Sequence, residues 1–213
     1  MIDILLALAA LWLLCRFLTV CCRVPAALAP LAGLSLAALW LTLAGMAGLL
    51  RPGAAVLYLA CLAGGAVSLK KSRPGSGRTA LQSLITPGST VFWALSLAFA
   101  VYFCIRQPLF ADFDEFSFWG TAAKLTCINN ALYTTGEIGW AWQATQNPGL
   151  IVLGYFFQVW GSFAPWKIFL AYDVLLFACF AAVIGGTRWK NYALAVPAAA
   201  ICWCVPWFFT TYN

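Results

Sequence analysis

The strongest constraint on this chain is a succession of apolar runs, each close to the thickness of a lipid bilayer. They fall at about 2–21, 26–50, 54–69, 90–105, 166–184 and 192–209. A helix needs roughly 20 apolar residues to cross ~30 Å of hydrocarbon. Lipid offers no hydrogen-bond partners, so each run must satisfy its own backbone as a helix. The expected fold is all-α, a polytopic transmembrane helical bundle with an extracytoplasmic loop containing juxtamembrane helices. Composition excludes the soluble alternative: 8% of residues are charged and 64% hydrophobic, against roughly 25% charged in soluble domains.

The first run has neither a basic leader nor a small-residue cleavage site, so it reads as a retained span rather than a signal peptide. The second carries Gly33, Ser35, Gly45 and Gly48, small residues that let helices approach closely in lipid. Arg51-Pro52-Gly53 is read as its stop. The nine cysteines lie in or beside apolar runs without a paired metal-type spacing. They read as small apolar packing residues. The chain has no histidine, which removes imidazole catalysis and most zinc sites.

Orientation follows from charge. The segment KKSRPGSGR at 70–78 is the most basic in the chain, and the positive-inside rule makes it cytoplasmic. The net charge of +6 therefore reports topology, and no nucleic-acid partner is expected. The chain divides into 1–89, a three-span extension with its basic loop, and 90–213, which opens with the fourth span from about Thr90 after the Pro87-Gly88 connector. That span delivers the loop 107–147 to the outer face. The run Leu150–Phe163 is short, about 21 Å as a helix. It either crosses or lies half-buried beside the membrane; the second version puts Arg188-Trp189-Lys190 on the cytoplasmic side and agrees better with the charge rule.

Within 107–147, the run ADFDEFSFWGTAAKL places Asp112, Asp114 and Glu115 together, three of the six acidic residues in the molecule. Residues 112–128 have helical spacing. Phe116, Trp119 and Ala123 form an apolar stripe, and Asp114, Ser117, Thr121 and Lys124 form a polar one. Such a helix suits a membrane interface. The acidic cluster has two readings. Asp112 as an N-cap with Glu115 three residues later resembles a capping box, and Asp114 would sit near the positive end of the helix dipole. Alternatively the carboxylates form a site at the water–membrane boundary, serving as general base or holding a divalent cation through Asp112 and Asp114. A separate candidate is Asp173, ionisable within an apolar run and hence a functional hypothesis by default. Lys167, six residues earlier, is on a different helical face, so a partner for Asp173 must come from another helix.

The order of span, Phe113-Asp114-Glu115, the Ala123-Lys124 helix, Asn147-Pro148-Gly149 and a short apolar helix resembles the GT-C glycosyltransferases. These include protein O-mannosyltransferases and the aminoarabinose transferases of lipid A. The resemblance covers about 90–213 and departs in having one proline at the proline motif and only six or seven spans. It implies an N-terminal portion, a truncated product, or one piece of an enzyme completed by a second chain. It further implies transfer of a sugar from a polyprenyl-phosphate donor at the outer face of the cell membrane. Asp114 or Glu115 would be the general base, with Asp112, Lys124 and Asp173 as binding candidates. The competing expectation is a non-enzymatic multi-pass protein, a transporter or an assembly subunit, or a fragment without function.

Overall fold

The structure is a computed structural model that describes residues 1–71, 85–112, 119–134, 148–185, 200 and 204. Among them are seven helices and no strand: α1 (Ile2–Val20), α2 (Ala29–Met46), α3 (Leu50–Lys71), α4 (Pro87–Arg106), α5 (Trp119–Asn129), α6 (Gly149–Phe156) and α7 (Pro165–Ile184). Five of these, α1 to α4 and α7, are long and apolar enough to cross a membrane. The chain is thus a helical, multi-pass membrane protein. The expected span at 192–209 lies outside the described residues.

Helix boundaries follow backbone chemistry more closely than they follow proline and glycine. The stop expected at Arg51-Pro52-Gly53 is instead the first turn of α3. A proline is tolerated there because its missing N–H would have had no partner. The real stop is Ala47-Gly48-Leu49. Gly48 takes a φ of 72°, and the N–H groups of Gly48 and Leu49 donate to Gly45 and Ala44 at 3.0 and 2.8 Å, a Schellman closure. Pro87 likewise starts α4 rather than linking to it. Thr86 caps that helix reciprocally with Ser89.

Close approaches fix the direction of each span. A Cβ on Gly88, at the start of α4, would lie 2.5 Å from the carbonyl oxygen of Ala181, near the end of α7. At the other end of the pair the rings of Phe103 and Phe169 stack at 6.4 Å. Helices α4 and α7 are therefore antiparallel, and this is the most extensive helix pair in the fold. Helix α1 packs against α2 and α3, while α2 also reaches α6 and α7. One apolar core joins residues from all the spans, from Ile4 to Ile184.

Two ends result. At one lie Lys70 and Lys71, the α1–α2 turn, and the junction of Gly88 with Ala27 and Ala181. At the other lie Asp3, the α2–α3 turn, Arg106 and the start of α7. Two buried ionic groups meet at this Asp3 end. The Lys167 ammonium donates to the Asp3 carboxylate and to the carbonyl of Ser162, and the Met1 amino group donates to Asp3 at 3.0 Å. Asp3 and Lys167 are each 4% exposed, so each charge depends on the other. Gly161 lies so near that any Cβ there would overlap the Asp3 carboxylate.

Helix α6 does not cross. Its eight residues extend about 12 Å, against ~30 Å of hydrocarbon. Gly149 and Leu150 line a hollow with Leu34, Ser35 and Ala38 of α2 and Leu175 of α7. Ala38 and Leu34 are two to three helical turns from the end of α2, so α6 begins about 12–18 Å below the Asp3 end. It then climbs back, and the Tyr58 hydroxyl donates to the Phe156 carbonyl at 2.8 Å. Every residue from 151 to 158 is buried. The segment is too short to cross, and it is not the half-buried helix beside the membrane that was expected: it is buried and dips among the spans.

Two outcomes check this frame. In a cysteine-depleted background, cysteines placed at Asp112 and Ser162 should react with an impermeant maleimide from one side, and a cysteine at Arg23 only from the other. Reaction of Ser162 from the Arg23 side would mean that α6 crosses. Asp3→Asn should lower stability by about 3–5 kcal/mol in a mixed-micelle denaturation, because it strands the buried Lys167 charge, and Lys167→Met should cost less, because the Met1 amino group still pairs with Asp3. The double variant should recover most of that loss.

Candidate functional site

The Asp3 end carries the loop that the sequence singles out. After Arg106 the chain turns through Gln107, whose φ is 45°, and Phe110 turns inward. Its ring meets Trp119 at 5.4 Å and Phe169 at 5.8 Å, both edge-on. Trp119 in turn meets Phe169 at 5.8 Å and Tyr172 at 5.5 Å. Edge-to-face pairs of this kind add about 0.5–1.5 kcal/mol each beyond the area they bury. The acidic run is therefore flanked on both sides by residues held to one aromatic cluster on α7.

Helix α5 sorts its residues as the spacing implies. Ala122 and Ala123 are fully buried against Tyr133, Ile151 and Ile168, and Trp119 packs at the edge of the same cluster. Thr121 and Lys124 look the other way into a cavity of about 300 Å³. Leu109, Phe110, Gly120, Phe163 and Pro165 complete its wall. Lys124 is exposed, and its ammonium is the one cationic group on that wall. After α5 the chain reverses at Asn130, with φ 51°, and the Asn130 side chain accepts from the Tyr155 hydroxyl at 2.8 Å. The α5 and α6 helices are thereby joined by a polar bond inside an apolar setting.

The predicted site residues are distributed as follows. Asp112 is exposed, at a bend just beyond the aromatic anchor. Lys124 lines the cavity. Asp114 and Glu115 lie outside the described residues, as do Phe116, Ser117 and the remainder of the proposed capping box. Asp173 is half-buried on α7, and among the described residues no ion pair or hydrogen bond reaches it. Lys167 is committed to Asp3, so it is no counter-ion for Asp173.

Cysteine chemistry does not contribute here. Eight cysteines are described and all are free thiols. Burial pushes the Cys127 thiol on α5 up to about 12, which keeps it protonated and unreactive at neutral pH. Among the described residues no three acidic, cysteine or histidine side chains converge as a metal-type group. Asp112 and Asp114 remain the residues whose oxygen chemistry suits a hard cation.

The residue that sequence reasoning passed over is Asp3. Its only trace in the sequence is a carboxylate at the start of one apolar run and Lys167 at the start of another, which does not by itself report that the two meet. Gln158, 2% exposed, was also missed. Its side chain donates to Gly154 O at 3.1 Å and accepts from Ala164 N at 3.0 Å, which holds the turn from α6 into α7.

No family model, curated protein or solved structure matches this chain.

Trp119→Ala should release the acidic run. The expected cost is about 3 kcal/mol, at the low end for removal of a large aromatic because Trp119 is only half-buried. Limited proteolysis of intact membranes from the Asp3 side should then cut within 107–118 faster than in the wild type. An unchanged cleavage rate would show that the aromatic cluster does not hold this segment.

Proposed function

We propose that this chain is a membrane glycosyltransferase, or the N-terminal portion of one, acting at the outer face of the cell membrane on a polyprenyl-phosphate sugar donor. One observation carries the reading. Phe110 and Trp119, on either side of the acidic run, meet ring to ring at 5.4 Å beside the cavity that Thr121 and Lys124 line. Carboxylates and a lysine brought to one membrane edge are what such a transfer requires. The order of span, acidic run, two short helices and span also supports it, in keeping with the GT-C resemblance. By the positive-inside rule the basic Lys70 end supports a cytoplasmic position there and an outer one for the acidic run.

In this reading a carboxylate, Asp114 or Glu115, takes the proton of the acceptor hydroxyl. The acceptor oxygen forms a bond to the anomeric carbon as the bond from that carbon to the phosphate oxygen breaks. The polyprenyl phosphate departs with the electron pair, and the Lys124 ammonium offsets its charge as a point cation.

The test is transfer of label from a radiolabelled polyprenyl-phosphate hexose in membranes carrying the full-length protein. Asp114→Asn or Glu115→Gln, whichever removes the base, should lower transfer about 10²–10⁴-fold. The amount of inserted protein should not change. Full transfer in both variants, or none above background in the wild type, would contradict the reading.

A second reading draws on Asp173. A half-buried carboxylate in a span with no partner among the described residues suits a subunit whose partner chain supplies a cation. In that case Asp173→Asn releases a companion chain from the solubilised complex, while Asp114→Asn changes nothing.

A further inference from the structure

The cysteines read in the sequence as packing residues, and Cys22 does not pack. It is an exposed free thiol, whereas its neighbour Cys21 is half-buried. Both follow the last turn of α1 at the Lys70 end. The Cys22 N–H still donates to the Leu18 carbonyl at 3.2 Å, so helical geometry reaches this residue before Arg23 turns the chain at a φ of 60°. That geometry sends the two thiols to different sides. Cys21 continues the stripe of Phe17, whose ring lies close to Gly64 of α3. Cys22, three positions after Thr19 and seven after Cys15, continues another. The second stripe is one wall of a cavity of about 460 Å³ between α1 and α4. Trp12, Cys15 and Thr19 lie on the α1 side of it, and Trp93, Ala94 and Leu97 on the α4 side. Leu97 is 52% exposed and Trp12 43%, so the cleft opens sideways toward lipid. Thr19 is one turn below Cys22, about 4.5 Å along the axis, which sets Cys22 at the mouth of the cleft.

We infer that Cys22 is a site of S-acylation by a long-chain fatty acyl group, whose chain lies in this cleft along Trp12, Trp93 and Leu97. Two independent observations meet at this position. One is an exposed thiol at the end of a span, the setting in which cysteines are reversibly acylated. The other is an unfilled cleft with apolar walls that begins one turn below that thiol and is open to the bilayer. Charge suits the donor as well. Arg23 beside the thiol, and Lys70 and Lys71 at the end of α3, are exposed. By the positive-inside rule these residues support a cytoplasmic position for this end, the side on which acyl-coenzyme A, a polyanion, is available. The Cys22 thiolate attacks the carbonyl carbon of the acyl-coenzyme A. A sulfur–carbon bond forms as the bond to the coenzyme sulfur breaks, and free coenzyme A leaves with the proton that Cys22 gave up. No oxidant or reductant is needed. Cys179 is exposed too, but it lies within the α7 span, away from a water-borne donor. The inference does not depend on the glycosyltransferase reading, since it concerns the other end of the molecule.

The experiment feeds cells making the full-length protein a palmitic acid analogue that carries an alkyne and a diazirine, and reads the label on the purified protein. The wild type should carry label that neutral hydroxylamine removes, as a thioester requires. Cys22→Ser should lose that label with no change in the amount of inserted protein, and Cys21→Ser should keep it. Irradiation before hydroxylamine should cross-link the chain to peptides containing Trp12 of α1 or Trp93 and Leu97 of α4. Ala94→Phe, which fills the cleft and leaves Cys22 in place, should move those cross-links to lipid. Absence of hydroxylamine-labile label in the wild type would overturn the inference. So would undiminished label in Cys22→Ser, loss of label in Cys21→Ser, or wild-type cross-links confined to lipid.

Discussion

The pairing of Asp3 with Lys167 is the constraint on which the rest of the fold depends. Each is almost wholly buried at the edge of an apolar bundle, where an unpaired charge is costly. The contact brings the start of α1 and the start of α7 to the same end of the molecule. Four spans, α1 to α4, lead away from and back to that end. Whatever lies between α4 and α7 must then leave and return on one side. Parity thus requires an even number of crossings in that stretch, and α6, at eight residues, is too short to supply one.

This arrangement concentrates polar chemistry at one edge. Helices α5 and α6, too short to span, are fastened there by different means. Trp119 is held by aromatic contact with Phe110 and α7, and Tyr155 bonds to Asn130 across the two short helices. The cavity beside Lys124 is left between the apolar side of the loop and the start of α7. In the proposed reaction, this position at a water–lipid boundary would let a carboxylate meet a polar acceptor while a lipid-linked donor stays in the membrane. The Lys70 end contrasts with it: its described charges are all basic, and its cavity opens to lipid.

Much of this was legible in the sequence, because the bilayer reduces the choice of fold to a count of apolar runs. Five of the expected spans have helices within a few residues of their anticipated limits. The two faces of α5 were also readable: Trp119 and Ala123 pack inward, and Thr121 and Lys124 line the cavity. Proline was the misleading signal. Pro52 and Pro87 each occupy a first helical turn, where fixed φ is an asset, yet in a sequence the same residue reads equally as a stop or a linker. The Asp3–Lys167 contact was not visible because it joins residues 164 positions apart, and no local pattern reports such a pairing. Asp114 and Glu115 were legible as an acidic cluster with helical spacing and through the GT-C resemblance, and they lie outside the described residues.

A cross-linking measurement tests the central claim that α1 and α7 start side by side. The paired variant Asp3→Cys with Lys167→Cys, in a background otherwise free of cysteine, removes both charges together and so leaves neither stranded. Treated in membranes with a short bismaleimide and then cleaved in the 72–84 segment, it should leave the two halves joined on a denaturing gel. Separate halves, with both cysteines shown to be reactive, would contradict the account.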